Sequence, residues 1–148
     1  MKSKLVVVIG ATAATFVTGL AFGHHSFPAV FDGSRTVDVE GIVKEFRLVN
    51  PHAEMTLEVT DDAGKKQLQT VEFDGRLNLT VGGWTPDSIK AGEHVSVHGN
   101  PARAGDGRIW FLSLTRDDGT ELIRPFLQRT NAIDEQRRQR AQQRDKQK

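Results

Sequence analysis

The sequence predicts an all-β domain of five to six strands closed into a small barrel. One short helical turn interrupts it, a signal peptide precedes it and a charged tail follows it. Three observations carry this prediction. From Thr36 to Arg124 apolar and polar residues alternate in short runs punctuated by Gly, Pro, Asn and Asp, the period-two pattern of half-buried strands. Three such runs precede, and two or three follow, a single segment of helical character. The chain has 148 residues and no cysteine, room for one domain held by its own core rather than by disulfides.

The first run, Thr36 to Leu48, reads as one long strand with Val37, Val39 and Gly41 on one face and Asp38 and Glu40 on the other. Its phase slips at Ile42-Val43, which predicts a bend or bulge beside Gly41. Asn50-Pro51 interrupts it, since proline supplies no backbone donor. His52 to Thr60 is the second strand, with Met55, Leu57 and Val59 inward. Asp61 to Lys65 is a hairpin loop, and Gln67 to Asp74 is the third strand. Arg76 to Val81 reads equally as a short helix or a loop. In Thr85-Pro86-Asp87-Ser88-Ile89, Thr85 can cap, Pro86 suits the first helical position and Asp87 the first turn. One helical turn is predicted there, with Trp84 and Ile89 packed on the barrel. His94 to His98, Arg108 to Arg116 and Glu121 to Arg124 complete the strands. Three strands, a short helical connection and two or three more is the order of an OB-like barrel. A first strand bent at a glycine suits its closure, because it can serve both halves of the sheet. An open β-sandwich is the rival arrangement.

The ends have a different character. Residues 1–23 match a secretory signal: Lys2 and Lys4, then an uncharged apolar stretch from Leu5 to Phe22, with small residues at Ala21 and Gly23 where signal peptidases read. The alternative is a retained anchor, which the many Gly, Ala and Thr residues would make a weak span. Cleavage after Gly23 makes His24 the first residue of a 24–127 barrel domain exported to the periplasm. The tail, 128–148, is basic, rich in Arg and Gln, and without an apolar face, so it is expected to be disordered or loosely helical. The net charge of +1 hides this division: +2 in the signal, +4 from Arg129 to Lys148, and −5 in the body between them. An acidic body repels phosphates and argues against nucleic acid. The tail could meet an acidic lipid surface or an envelope protein partner.

The phrases His24-His25-Ser26-Phe27, Phe31-Asp32, Gly41-Ile42-Val43, Asn50-Pro51-His52, Gly83-Trp84-Thr85-Pro86-Asp87-Ser88-Ile89-Lys90-Ala91-Gly92, Val95-Ser96-Val97 and Gly99-Asn100-Pro101-Ala102 occur in an order that resembles a family of small exported bacterial proteins of unknown function. Members begin the mature chain with His-His-Ser-Phe and carry Asn-Pro-His after the first long strand. The resemblance spans roughly residues 20 to 123. It implies a periplasmic OB-like barrel and supplies no reaction. His94, His98 and the long basic tail depart from the family pattern.

The chemistry legible in the residues is that of a metal. His24 at a mature N-terminus can chelate through its α-amine and ring Nδ1, and an α-amine loses its proton to a metal at modest cost. A third nitrogen would come from His25 or His52, if the Asn50-Pro51-His52 corner meets the arm before the first strand. An amine with two imidazoles is the residue set of a histidine brace and suits Cu(II). Zinc is disfavoured, with no thiolate and no tight His-x-His pair. Phe27, Asn50 and Trp84 are expected to pack the ligand end. The bland alternatives are a His52 bonded to a backbone carbonyl and a Phe27 that plugs an open barrel end. His94 and His98, four apart on a strand, lie about 13 Å from each other and cannot share an ion. Ser26 beside His25 is no nucleophile–base pair, and Gly82-Gly83 lacks the rest of a phosphate loop. The expected function is therefore a non-catalytic periplasmic binding module, with copper as ligand. The alternatives are an envelope interaction module without metal and a copper-dependent redox enzyme.

Overall fold

The computed structural model describes residues 26–145; the predicted signal peptide, His24 and His25 lie outside them. The elements in order are α1 (Phe27–Val30), β1 (Val37–Arg47), β2 (Glu54–Thr60), β3 (Lys66–Glu72), α2 (Arg76–Val81), β4 (His94–Pro101), β5 (Ile109–Arg116), β6 (Glu121–Ile123) and α3 (Pro125–Asp145). The sheet runs β3-β2-β1-β4-β5-β6 and closes through a short parallel pairing of β3 with β5, Val71 to Ile109 and Glu72 to Trp110. β1 to β5 thus form a closed OB-like barrel, and β6 extends one edge.

β1 serves both halves of the barrel. Its first half, Val37 to Ile42, pairs with β4, and its second, Ile42 to Arg47, pairs with β2. The bend between them needs Gly41, because a Cβ there would stand 2.5 Å from the Glu58 carbonyl oxygen. The phase slip lies slightly later than the sequence suggests. Val43 keeps the inward alternation and is buried, and the register shifts between Val43 and Glu45. The extra residue, Lys44, turns Phe46 back onto the core.

The interior is built from Val43, Met55, Leu57, Val71, Phe73, Leu79, Trp84, Ile89, Val95, Val97, Ile109, Phe111 and Leu114. Each large side chain buried there contributes about 1.5–3 kcal/mol by transfer from water. Phe73 and Phe111 stack with centroids 4.3 Å apart, and Trp84 closes on both at 5.8 and 5.5 Å. α2 seals this end through Leu79, whose carbonyl accepts the Trp84 N–H at 3.0 Å.

One local expectation changes. The helical turn predicted at 85–89 is a hydrogen-bonded turn instead. Thr85 and Ser88 satisfy it: the Thr85 N–H donates to the Ser88 hydroxyl at 2.8 Å, and the Ser88 N–H to the Thr85 carbonyl at 3.0 Å. Its capping residues fit either form, and the short helix is α2. The tail is one helix from Pro125 to Asp145. Its Gln, Arg, Ala and Glu residues have high helix propensity, and Pro125 suits its first position. Among the described residues, no helix is long and apolar enough to cross a membrane.

Candidate binding end of the barrel

β5 buries both of its faces. Ile109, Phe111 and Leu114 point into the barrel, whereas Trp110 and Leu112 point outward. A register shift opposite His98 and Gly99 accommodates this, and Gly99 leaves room: a Cβ there would meet Ile109 Cγ2 and the Trp110 carbonyl at 2.4 Å. Outside the barrel Trp110 forms a second apolar cluster with Phe31 and Ala102, flanked by Phe27, Val30 and Leu112. The single turn of α1 delivers the two phenylalanines. Phe27 stacks on Phe31 at 5.9 Å and meets Trp110 edge-on at 5.5 Å.

His52 reaches the same tryptophan from the corner between β1 and β2. Its ring stands edge-on to Trp110, with centroids 5.3 Å apart and planes at 83°. The corner that carries it is tied to the barrel on both sides. Ala53 exchanges backbone hydrogen bonds with Phe73 and Asp74, and the Arg76 N–H donates to the Val49 carbonyl. Gly75 permits the close approach, since a Cβ there would lie 2.6 Å from the Pro51 carbonyl oxygen. The Asn50–Pro51 peptide is cis, and Asn50 is exposed at the tip of the corner.

An ionic chain runs beneath the histidine. His52 Nδ1 lies 3.5 Å from Glu72 Oε2, and Arg108 donates to Glu72 Oε1 at 3.1 Å and to Asp106 at 2.9 Å. The hydrogen bond that Arg108 donates to Asp106, helped by the one to Glu72, holds the Arg108 guanidinium above its ordinary range. The Arg108 backbone N–H in turn draws the Asp106 carboxyl down. On the other flank Arg124 lies over the Trp110 ring at 5.2 Å and donates two bonds of 2.7 Å to Asp74.

The structure therefore joins Phe27 and His52 through Trp110 and leaves Asn50 at the rim of their corner. It seats Trp84 elsewhere, in the interior against Phe46, Phe73 and Phe111. His24 and His25 lie outside the described residues. Trp110, Glu72, Arg108, Asp74 and Arg124 escaped the sequence reading. The signal for Trp110 was present: Ile109-Trp110-Phe111-Leu112 is a continuous apolar run, the mark of a strand covered on both faces.

His94 and His98 lie on the exposed face of β4, each bonded through Nδ1 to a carboxylate from a neighbouring segment: Asp117 at 2.7 Å and Asp38 at 2.8 Å. The Asp117 hydrogen bond raises the His94 pKa above its ordinary value. A raised histidine stabilises the fold below its unfolded pKa, and that contribution disappears as pH rises through the folded value. Asp117→Asn is thus expected to lower stability slightly at about pH 5.5 and to change nothing at about pH 8.5, on either side of the ordinary histidine range. Denaturant midpoints at the two pH values check it. The effect is small because both side chains are exposed.

Strand order, barrel closure and the aromatic end define a small OB-like barrel. The chain belongs to a family of unknown function (DUF6152), whose model matches residues 13–109. Among solved structures it is similar to the small single-stranded DNA-binding protein from Streptomyces coelicolor. That match has 23% identity and a TM-score of 0.41, over 56% of this chain and 91% of that one. It is also similar to a mitochondrial single-stranded DNA-binding protein from S. cerevisiae, with 12% identity and a TM-score of 0.36 over 60% and 80% of the two chains. No curated protein matches it.

Proposed function

We propose that this chain is an exported, periplasmic, non-catalytic binding module that takes Cu(II) at the Trp110 end of its barrel. His24 as the first mature residue would supply its α-amine and ring, and His52 or His25 the next nitrogen. One observation supports this above all: Phe27 and His52 pack on the same tryptophan, at 5.5 and 5.3 Å. His25 is two residues from Phe27, and two residues span at most about 7 Å. Chain length permits the pair to meet the corner, since His24, three residues from Phe27, is at most about 11 Å away along the chain. Glu72 beside Nδ1 of His52 is the kind of carboxylate partner that orients a metal-binding imidazole and leaves Nε2 to the ion. Nitrogen ligands suit Cu(II).

Protein beginning at His24 is expected to gain thermal stability with stoichiometric Cu(II), by about 2.7 kcal/mol when free copper is a hundredfold above the dissociation constant. The gain should vanish with one extra residue before His24 and shrink in His52→Ala. No shift in melting temperature with equimolar copper at micromolar concentration would overturn the reading.

A further inference from the structure

Among the described residues, α3 packs on the rest of the domain only through its first turn. Pro125 is buried against the barrel, yet every residue from Gln128 to Arg140 is exposed. Most helices in proteins are held by packing one face on something else. Projected along a helix at 100° per residue, Phe126, Arg129, Ile133, Arg137 and Arg140 fall within an arc of about 80°, along about 21 Å of axis. Asp134 and Glu135 lie off this stripe, although Asp134 reaches Arg137 at 3.7 Å. Phe126 and Ile133 are 63% and 51% exposed.

A second pair of exposed apolar side chains lies on α2, which adjoins the root of the same helix. α2 lies beside the first turn of α3: a Cβ on Gly82 would meet Pro125 at 2.5 Å. A cleft of about 300 Å³ between the two helices is lined by Asp74, Asn78, Arg124, Pro125, Phe126 and Arg129. Next to Asn78 and Gly82 on α2, Leu77 and Val81 stand one turn apart and are 73% and 68% exposed.

We propose that this side of the molecule, the arginine stripe of α3 with Phe126, Ile133, Leu77 and Val81, docks on an anionic lipid surface. Charge complementarity selects an anionic partner, and the interleaved apolar residues select a bilayer among such partners. At a membrane interface guanidinium groups meet lipid phosphates while Phe, Ile, Leu and Val enter the acyl boundary. A nucleic-acid backbone would leave the aliphatic side chains in water. The acidic body orients the docked molecule, because its net charge of −5 is repelled from the same surface.

The test is co-sedimentation of the chain from His24 onward, which contains both core clusters entire. The vesicles are phosphatidylcholine alone or an equimolar mixture with phosphatidylglycerol. Binding is expected to the mixed vesicles only, and to fall as salt rises. Arg129→Gln, Arg137→Gln and Arg140→Gln together should weaken it about a hundredfold, at about fivefold for each arginine near the surface. Gln preserves helix propensity, and circular dichroism confirms that α3 remains. Phe126→Ser with Ile133→Ser should weaken it severalfold at unchanged charge. Equal partition into both vesicle types, or a triple variant that binds like the parent, would overturn the proposal. So would a fluorescent single-stranded oligonucleotide that binds through the same arginines while the vesicles do not.

Discussion

Trp110→Ala is expected to lower the stability of the barrel by about 3–5 kcal/mol, the range for deleting a large aromatic from a packed site. The magnitude follows from how many elements share this ring. Phe27, Phe31 and His52 all meet it at 5.3 to 5.5 Å, and the Arg124 guanidinium covers it at 5.2 Å. Without it α1 loses its seat and the Asn50–His52 corner loses its inner wall. Trp110→Phe should cost far less. The indole N–H is buried and meets no acceptor among the described residues, so phenylalanine forfeits volume but no hydrogen bond. Urea unfolding with an unchanged slope checks both values. Near-equal losses for Ala and Phe would show that the ring's packing is not what stabilises this end. For the copper site proposed above, the same Trp110→Ala variant should also remove most of the metal-dependent gain, because the corner and α1 would no longer share a wall.

The second large effect is expected at Asp74. Its carboxylate accepts both bonds from Arg124, and the two side chains are only 14% and 22% exposed. Asp74→Ala leaves a half-enclosed guanidinium with no acceptor while it still covers Trp110. Breaking a fully buried pair costs about 3–5 kcal/mol; partial solvent access reduces this to about 2–3 kcal/mol. Replacing both residues, Asp74→Ala with Arg124→Met, should recover a large part of the loss, because no uncompensated charge remains. A double-mutant cycle measures the coupling. Additive losses would place the stabilising role of Arg124 in its contact with the ring rather than in the ion pair. Because the residue after Arg124 begins α3, hydrogen exchange at the first turn of the helix should rise in Asp74→Ala.

Much of this molecule is local and therefore legible. Alternation along Val37–Arg47, Glu54–Thr60 and His94–His98 identifies strands and their inward residues, because side-chain direction in a strand has period two whatever surrounds it. Gly41 marks the bend for an equally local reason: no side chain fits against the Glu58 carbonyl. The turn at Thr85–Ile89 was harder, since the residues that cap a helix also satisfy a tight turn. The site was harder still. His52 was legible as a candidate, whereas Trp110 and Glu72, which meet it, and Arg124, which covers Trp110, lie 58, 20 and 72 residues further along the chain.

Sequence alone determined the strands, the punctuation between them, the OB-like order, the acidic body and the arginine-rich tail, all properties of residues close together in the chain. Tertiary structure decided which distant residues meet. Barrel closure by two residue pairs between β3 and β5 brings Glu72 beside Trp110. With that done, Phe27 from α1 and His52 from a corner converge on one ring. The physical reason is that such contacts depend on how the sheet closes and on where its bulges fall. A register shift of one residue in β5 or in β3 would turn Trp110 or Glu72 to the opposite face.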